Sequence, residues 1–167
     1  DKRLYDRLRD RHARPVREHF HAGLDYQDKL ARFLENHDEP RAAATFPPDV
    51  RQAAAAITFL APGLRWFHQG QFEGRRKRIS PHLGRGPDEP TDEAIARFYE
   101  QLLAVLKLPI FREGDWRLLE CSPAWEGNGT HDDFVVFAWE RGGEDRHVVA
   151  VNFADHTSQC HVRLPFE

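Results

Sequence analysis

The sequence predicts an α/β chain that closes in a small antiparallel β domain, and three observations carry that prediction. Residues 30–34 (Leu-Ala-Arg-Phe-Leu) and 64–68 (Leu-Arg-Trp-Phe-His) are short, largely apolar runs with a helical stretch between them, the order of an α/β unit. The stretch after Thr91 places Ile95, Phe98, Tyr99, Leu102 and Leu106 on one stripe at helical spacing. From Phe111 onward the texture changes to short β patterns separated by Gly127-Asn128-Gly129, Gly142-Gly143 and Asp155-His156, which are turn chemistry. The division falls between residues 1–109 and residues 110–167.

Residues 1–11 read as an amphipathic helix, with Leu4, Tyr5 and Leu8 on one face and a mixed-charge, solvated face opposite. A second short helix is expected from Pro15, with Val16 and Phe20 inward and Gly23 as its stop. A turn at residues 25–28 then leads into the strand that starts at Leu30. Pro40 is read as ending that strand by removing a backbone donor. Pro47-Pro48 opens a helix to about Leu60, and Asp49 suits its positive end. Ala53 to Ala56 keep that helix slim enough to press on a sheet. Pro62-Gly63 turns the chain into the second strand. Thr91 is read as the N-cap of the long helix, and Pro109 as its end. Four strands are expected in the last third, at residues 116–120, 133–139, 147–153 and 159–164, paired antiparallel through short connections.

The strand from Leu30 empties abruptly into Glu35, Asn36, His37, Asp38, Glu39 and Arg41. Apolar residues followed by clustered polar groups are the pattern of a buried parallel strand ending in a functional loop. Phe33-Leu34-Glu35-Asn36-His37-Asp38 resembles the fourth conserved region of the α-amylase superfamily, glycoside hydrolase family thirteen, at the end of barrel strand seven. Residues 61–71, Ala-Pro-Gly-Leu-Arg-Trp-Phe-His-Gln-Gly-Gln, resemble the eighth strand of that family, with its Pro-Gly lead-in and Gly-Gln exit. Val148-Val149-Ala150-Val151-Asn152-Phe153 resembles, more loosely, a strand of the β domain that follows the barrel, often called domain C. The resemblance implies the C-terminal portion of a (β/α)₈ barrel, from about strand seven to helix eight, followed by a domain-C-like β domain. A whole barrel takes about 250 residues, more than the 167 present. With no Met anywhere and a start on Asp1, the chain is expected to be a piece of a longer protein.

The resemblance also implies a chemistry. A retaining glycosidase flanks the scissile bond with a nucleophilic carboxylate and a carboxylic acid about 5 Å apart. The family carries these on strands four and five, outside this sequence, so the isolated chain is expected to be inactive. Asp38 matches the third carboxylate, which stabilises the transition state by accepting sugar hydroxyls, and His37 matches the histidine that binds the same sugar. Asn36 is placed at the substrate-binding loop, more as an orienter through backbone bonds than as a contact. Arg41 is a further substrate-binding candidate through a carboxylate in the site, with a plain surface salt bridge as its alternative; Glu39 is another. Glu35 departs from the small or apolar residue expected there and leaves the subfamily open. For His68 and Gln71, packing or solvent is favoured over lining the pocket. In the polar loop 69–90, the basic residues Arg75, Arg76, Lys77, Arg78 and Arg85 either grip a charged group or, the favoured reading, pair with local Asp and Glu.

Composition narrows the partners. A net charge of −3 gives no basic excess for nucleic acid, and no run is long and apolar enough to span a membrane. Cys121 and Cys160 allow one disulfide or two buried thiols, the thiols being favoured. The ten histidines form no metal-ligand spacing, so neither metal nor cofactor is expected in this segment. Calcium, common in the family, belongs to a part of the barrel outside it. The expected partners are an α-glucan or oligosaccharide substrate. The missing N-terminal part of the barrel, or self-association, is expected to cover the open sheet edge. Two other readings stand beside the enzyme: a non-catalytic carbohydrate-binding or interaction module on the same fold, and an unrelated α+β domain. The intact Asn-His-Asp triplet favours the enzyme.

Overall fold

The computed structural model describes residues 1–166; Glu167, the last residue of the expected β domain, lies outside the described residues. The first helix, α1 (Lys2–Arg9), is capped by the Asp1 carboxylate, which accepts from the Leu4 N–H at 3.2 Å. Its buried residues are Leu4, Tyr5 and Leu8, as the spacing predicts. Helix α2 (Ala13–Phe20) starts before Pro15, which sits in the first turn, where its missing N–H leaves no bond unmade. Gly23 does not stop α2 but caps a further short helix, α3 (Leu24–Gln27).

Strands β1 (Ala31–Arg32) and β2 (Leu64–Arg65) pair in parallel, Ala31 with Leu64 and Arg32 with Arg65. Between them run α4 (Ala42–Thr45) and α5 (Pro48–Leu60), whose Ala54 and Ala55 are buried. Both strands are shorter than their apolar runs. The ladder reaches only from the Leu64 N–H bond to Leu30 O (2.9 Å) to the Trp66 N–H bond to Arg32 O (2.8 Å). Each strand has a single neighbour, so nothing extends the pairing. Pro40 therefore does not end β1, which leaves the ladder after Arg32. At Gly63, φ is +115° and a Cβ would lie 2.5 Å from the Leu30 carbonyl oxygen, so only glycine lets the chain turn into β2.

Arg32, which interrupts the apolar run, is wholly buried. Its Nε donates to the Pro62 carbonyl at 2.8 Å, and its two Nη groups donate to the Asp1 carboxylate and the Gln27 amide oxygen. His19 Nε2 lies 2.8 Å from the same Asp1 carboxylate. Asp1, the N-cap of α1, is thus also the buried counter-charge of β1.

The long helix α6 (Glu93–Leu106) is capped by Asp92 rather than Thr91, the carboxylate accepting from the Ala94 and Ile95 N–H groups at 3.1 and 3.2 Å. It ends at Leu106, before Pro109, which caps the one-turn helix α7 (Ile110–Glu113). Then come β3 (Asp115–Leu119), β4 (Cys121–Ser122), a 3-10 turn (Thr130–Asp133), β5 (Phe134–Arg141), β6 (Asp145–Asn152) and β7 (His161–Val162). The antiparallel sheet has the order β3-β5-β6, while β7 pairs with β4 in a separate ribbon, a strand the sequence pattern does not mark. Central strand β5 is buried on both faces. Val135, Phe137 and Trp139 join the helical core, and Val136 and Ala138 join a second cluster that Cys121 and Val162 cover. That is why its sequence reads as an unbroken apolar run.

Helices and sheet share one core across the division expected at residue 109. The Trp139 indole N–H donates to Leu60 O at 2.8 Å, and Phe20 packs against Trp116 with ring centroids 5.8 Å apart. Cys121 and Cys160 are free thiols and half-buried rather than buried. Burial, then the adjacent Cys160, pushes the Cys121 thiol up to about 12.

Candidate functional site

The site is assembled by the loop after β1 and the loop after β2. Leaving β1, the chain buries Leu34 and Glu35 and then turns on Asn36, whose side-chain oxygen accepts from the Asp38 N–H at 2.8 Å and the Glu39 N–H at 2.9 Å. This Asx turn presents His37 and Asp38 outward, with His37 Nε2 3.3 Å from Asp38 Oδ2. The Asp38 side chain is 74% exposed, and no element packs over it.

Glu35, the residue that departs from the family pattern, is the hub underneath. It is 1% exposed. One carboxylate oxygen accepts from the Ala42 N–H at the start of α4 (2.7 Å); the other lies 3.0 Å from Arg41 Nη1 and 3.3 Å from His68 Nδ1. Arg41 is buried as well. It also bonds His68 Nδ1 at 2.6 Å and the Gln69 carbonyl at 2.8 Å. Of the two readings of Arg41, the structure shows a buried pair with a carboxylate rather than a surface salt bridge, and its donors are already taken by protein groups. Gln71 is buried too, donating to the Tyr99 hydroxyl at 2.8 Å while its oxygen accepts from the His68 N–H at 3.2 Å. At Gly70, with φ +85°, a Cβ would meet the Arg41 guanidinium and, at 2.5 Å, Arg75 Cδ. The Gly-Gln exit of the second strand therefore has a packing cause at both residues.

Above this hub lies an open cleft of about 550 Å³ lined by His37, Arg41, His68 and the loop after β2, including Arg75, Arg78 and Arg85. His68 thus lines the pocket, against the favoured expectation, as do Asn36, His37 and Arg41, whereas Asp38 is not among the lining residues. Among the described residues, none of Arg75, Arg76, Lys77, Arg78 and Arg85 forms a side-chain ion pair with a carboxylate, so the favoured reading of this basic loop is not what folds. Arg76 donates to Ala43 O and Arg78 to His37 O, while Glu89 accepts from the Arg76 and Lys77 backbone N–H groups. No group of three His, Cys, Asp or Glu among the described residues is placed to hold a metal ion, and no helix is long and apolar enough to cross a membrane.

Burial gives the hub a pH signature. It pushes Glu35 up to about 7 from 4.5, against the pull of the Ala42 N–H and Arg41. The fold then holds more protons than the unfolded chain between those values, and Glu35 costs stability as the pH rises through the window. His19 has the opposite sign. Burial, then the Arg32 charge, lowers it from 6.5 to about 4, so stability is lost as the pH falls through that interval. Each contribution is on the order of 3 kcal/mol, and the two oppose each other. Urea midpoints of the wild-type chain should therefore be nearly flat from about pH 4.5 to 6.5. Glu35→Gln should unmask a stability that rises with pH there. A Glu35→Gln profile as flat as wild type would show that Glu35 titrates normally.

No protein-family model matches the chain. A probable oligo-1,6-glucosidase of Bacillus subtilis is 26% identical over 134 aligned positions, covering 72% of this chain and 19% of that protein. The chain thus spans about a fifth of the curated relative that it matches. Two solved structures share the fold. A noncanonic maltogenic α-amylase of Thermotoga neapolitana superposes with a TM-score of 0.69 at 21% identity, over 90% of this chain and 36% of that one. A debranching enzyme of Nostoc punctiforme superposes with a TM-score of 0.57 at 22% identity, over 83% and 28%. Sequence similarity and fold thus point the same way as the resemblance of the Asn36-His37-Asp38 loop: the chain is similar to part of an oligo-1,6-glucosidase and shares its fold with parts of a maltogenic α-amylase and a debranching enzyme.

Proposed function

We propose that this chain is the strand-seven-to-helix-eight part, with the following domain C, of a glycosidase or transglycosylase that acts on α-glucosidic bonds with retention. In this reading β1 and β2 are the last two barrel strands, α6 is the last barrel helix, and residues 110–166 are the domain-C portion. The observation that carries it is the Asx turn after β1, which holds His37 and Asp38 side by side and exposed, His37 lining the cleft. Asp38 accepts hydroxyl hydrogen bonds of the sugar at the bond to be cleaved. These bonds strengthen as the ring gains oxocarbenium character, so they lower the barrier rather than merely tighten binding. His37 orients the same ring. Asn36 and the Glu35–Arg41 pair act through the loop that they hold. The parallel β1–β2 pair and the exposure of Leu64 and Trp66 on β2 support a sheet that continues into further strands.

The nucleophile and acid of a retaining mechanism stand about 5 Å apart across the bond. Asp88 is the one carboxylate among the described residues that lines the cleft. The purified 167-residue chain is therefore expected to release no product from an aryl α-glucoside or a maltooligosaccharide, measured against a blank over a day. Measurable turnover by this chain alone would overturn the division of labour proposed here.

A further inference from the structure

We propose that the cleft takes a saccharide bearing a phosphate monoester, with the guanidinium groups of Arg75, Arg78 and Arg85 as its phosphate-binding rim. This deepens the functional reading above and rests on it: that reading supplies the sugar, the rim supplies the charge. Arg41 is paired with Glu35 at 3.0 Å and spends its other donors on His68 and the Gln69 carbonyl, so it is not counted with the rim. What remains is three arginines facing one carboxylate, Asp88, a net charge that matches a dianion. None of the three is in an ion pair with a carboxylate among the described residues. Arg75, which lines the cleft, has a buried Nε with no hydrogen-bond partner, although buried donors are nearly always paired. Arg78 uses its Nε on the His37 carbonyl at 3.3 Å, which ties the phosphate rim to the sugar-binding loop. Guanidinium forks match phosphate oxygens in pairs, and like charges gathered without partners repel one another until an anion joins them. A cleft of about 550 Å³ also lies within the range of small-molecule sites, roughly 300–1,000 Å³.

The test is calorimetric or NMR titration of the chain with D-glucose 6-phosphate, D-glucose and inorganic phosphate at low and moderate ionic strength. The sugar phosphate should bind at least tenfold more tightly than either glucose or phosphate, and more weakly as salt rises. Arg85→Gln, at an exposed position that cannot disturb folding, should weaken sugar-phosphate binding several-fold, and the Arg75→Gln/Arg85→Gln pair at least tenfold. Asp88→Asn should tighten it two- to fivefold by removing the opposing charge. Equal binding of inorganic phosphate and the sugar phosphate would overturn the saccharide assignment and leave a bare anion site. Equal binding of glucose and its phosphate, no binding of either phosphate, or no response to Arg85→Gln would overturn the phosphate rim. Those failures leave the α-glucoside reading standing, because that reading is judged separately by the rate of an Asp38 variant.

Discussion

Replacing Asp38 with Asn, in a longer protein that supplies the barrel strands proposed above, should lower kcat/KM on an α-glucoside by roughly 10²–10³-fold, the loss seen when one preorganised transition-state contact is removed. The change keeps size and hydrogen-bonding reach but replaces a charged acceptor by a neutral amide. Charge-assisted bonds are about twice as strong as neutral ones, and the difference is greatest where positive charge develops on the sugar ring. Most of the loss should therefore fall on kcat, with KM changed little. Folding offers no competing explanation. The Asp38 side chain is 74% exposed, and the exposed His37 lies 3.3 Å from it. Thermal midpoints of the variant and the parent should agree within about a degree, since exposed substitutions stay within ~0.5 kcal/mol. An undiminished rate would sink the role given to Asp38.

Arg32→Leu should destabilise the fold by about 3–5 kcal/mol, the cost of breaking one side of a buried ion pair, and lower the melting temperature by about 10 °C. The leucine would suit the apolar surroundings of β1. The penalty arises from what is left behind: a buried Asp1 carboxylate without its guanidinium, and a Gln27 oxygen and a Pro62 carbonyl without donors. Combining Arg32→Leu with Asp1→Asn should recover a good part of the loss. It removes the stranded charge, and Asn caps α1 about as well as Asp. If the single variant melts within two degrees of wild type, the network is not what holds α1 to β1.

The two predictions concern residues of very different legibility. Asp38 stands out as a candidate because Asn36, His37 and Asp38 are consecutive, and a loop motif of adjacent residues survives as a string. The helices were readable for the same local reason. The stripes Leu4, Tyr5, Leu8 and Ile95, Tyr99, Leu102 repeat with the turn of the helix that they form. Gly63 and Gly70 could be seen as glycines in a family pattern, though their cause, a carbonyl at one and two arginines at the other, is a matter of packing.

Arg32 and Glu35 could not be read in this way. Each looked like an irregularity in an apolar run, because its partners lie at separations with no period: Asp1, Gln27 and Pro62 for the first, Arg41 and His68 for the second. Strand length escaped for a related reason. An apolar run shows what can be buried, but the number of paired residues depends on how many neighbours a strand finds, and β1 and β2 each found one. The ribbon of β4 and β7 joins Cys121 to Val162 across 41 positions, again beyond any local pattern. Local pattern and motif thus determined the helices, the order of elements and the family resemblance carried by Asn36, His37 and Asp38, since each of these is written in neighbouring residues. The buried charges, the strand ends and the gathering of arginines at the cleft were decided only when folding withdrew water and left each polar group with whichever partner lay within reach.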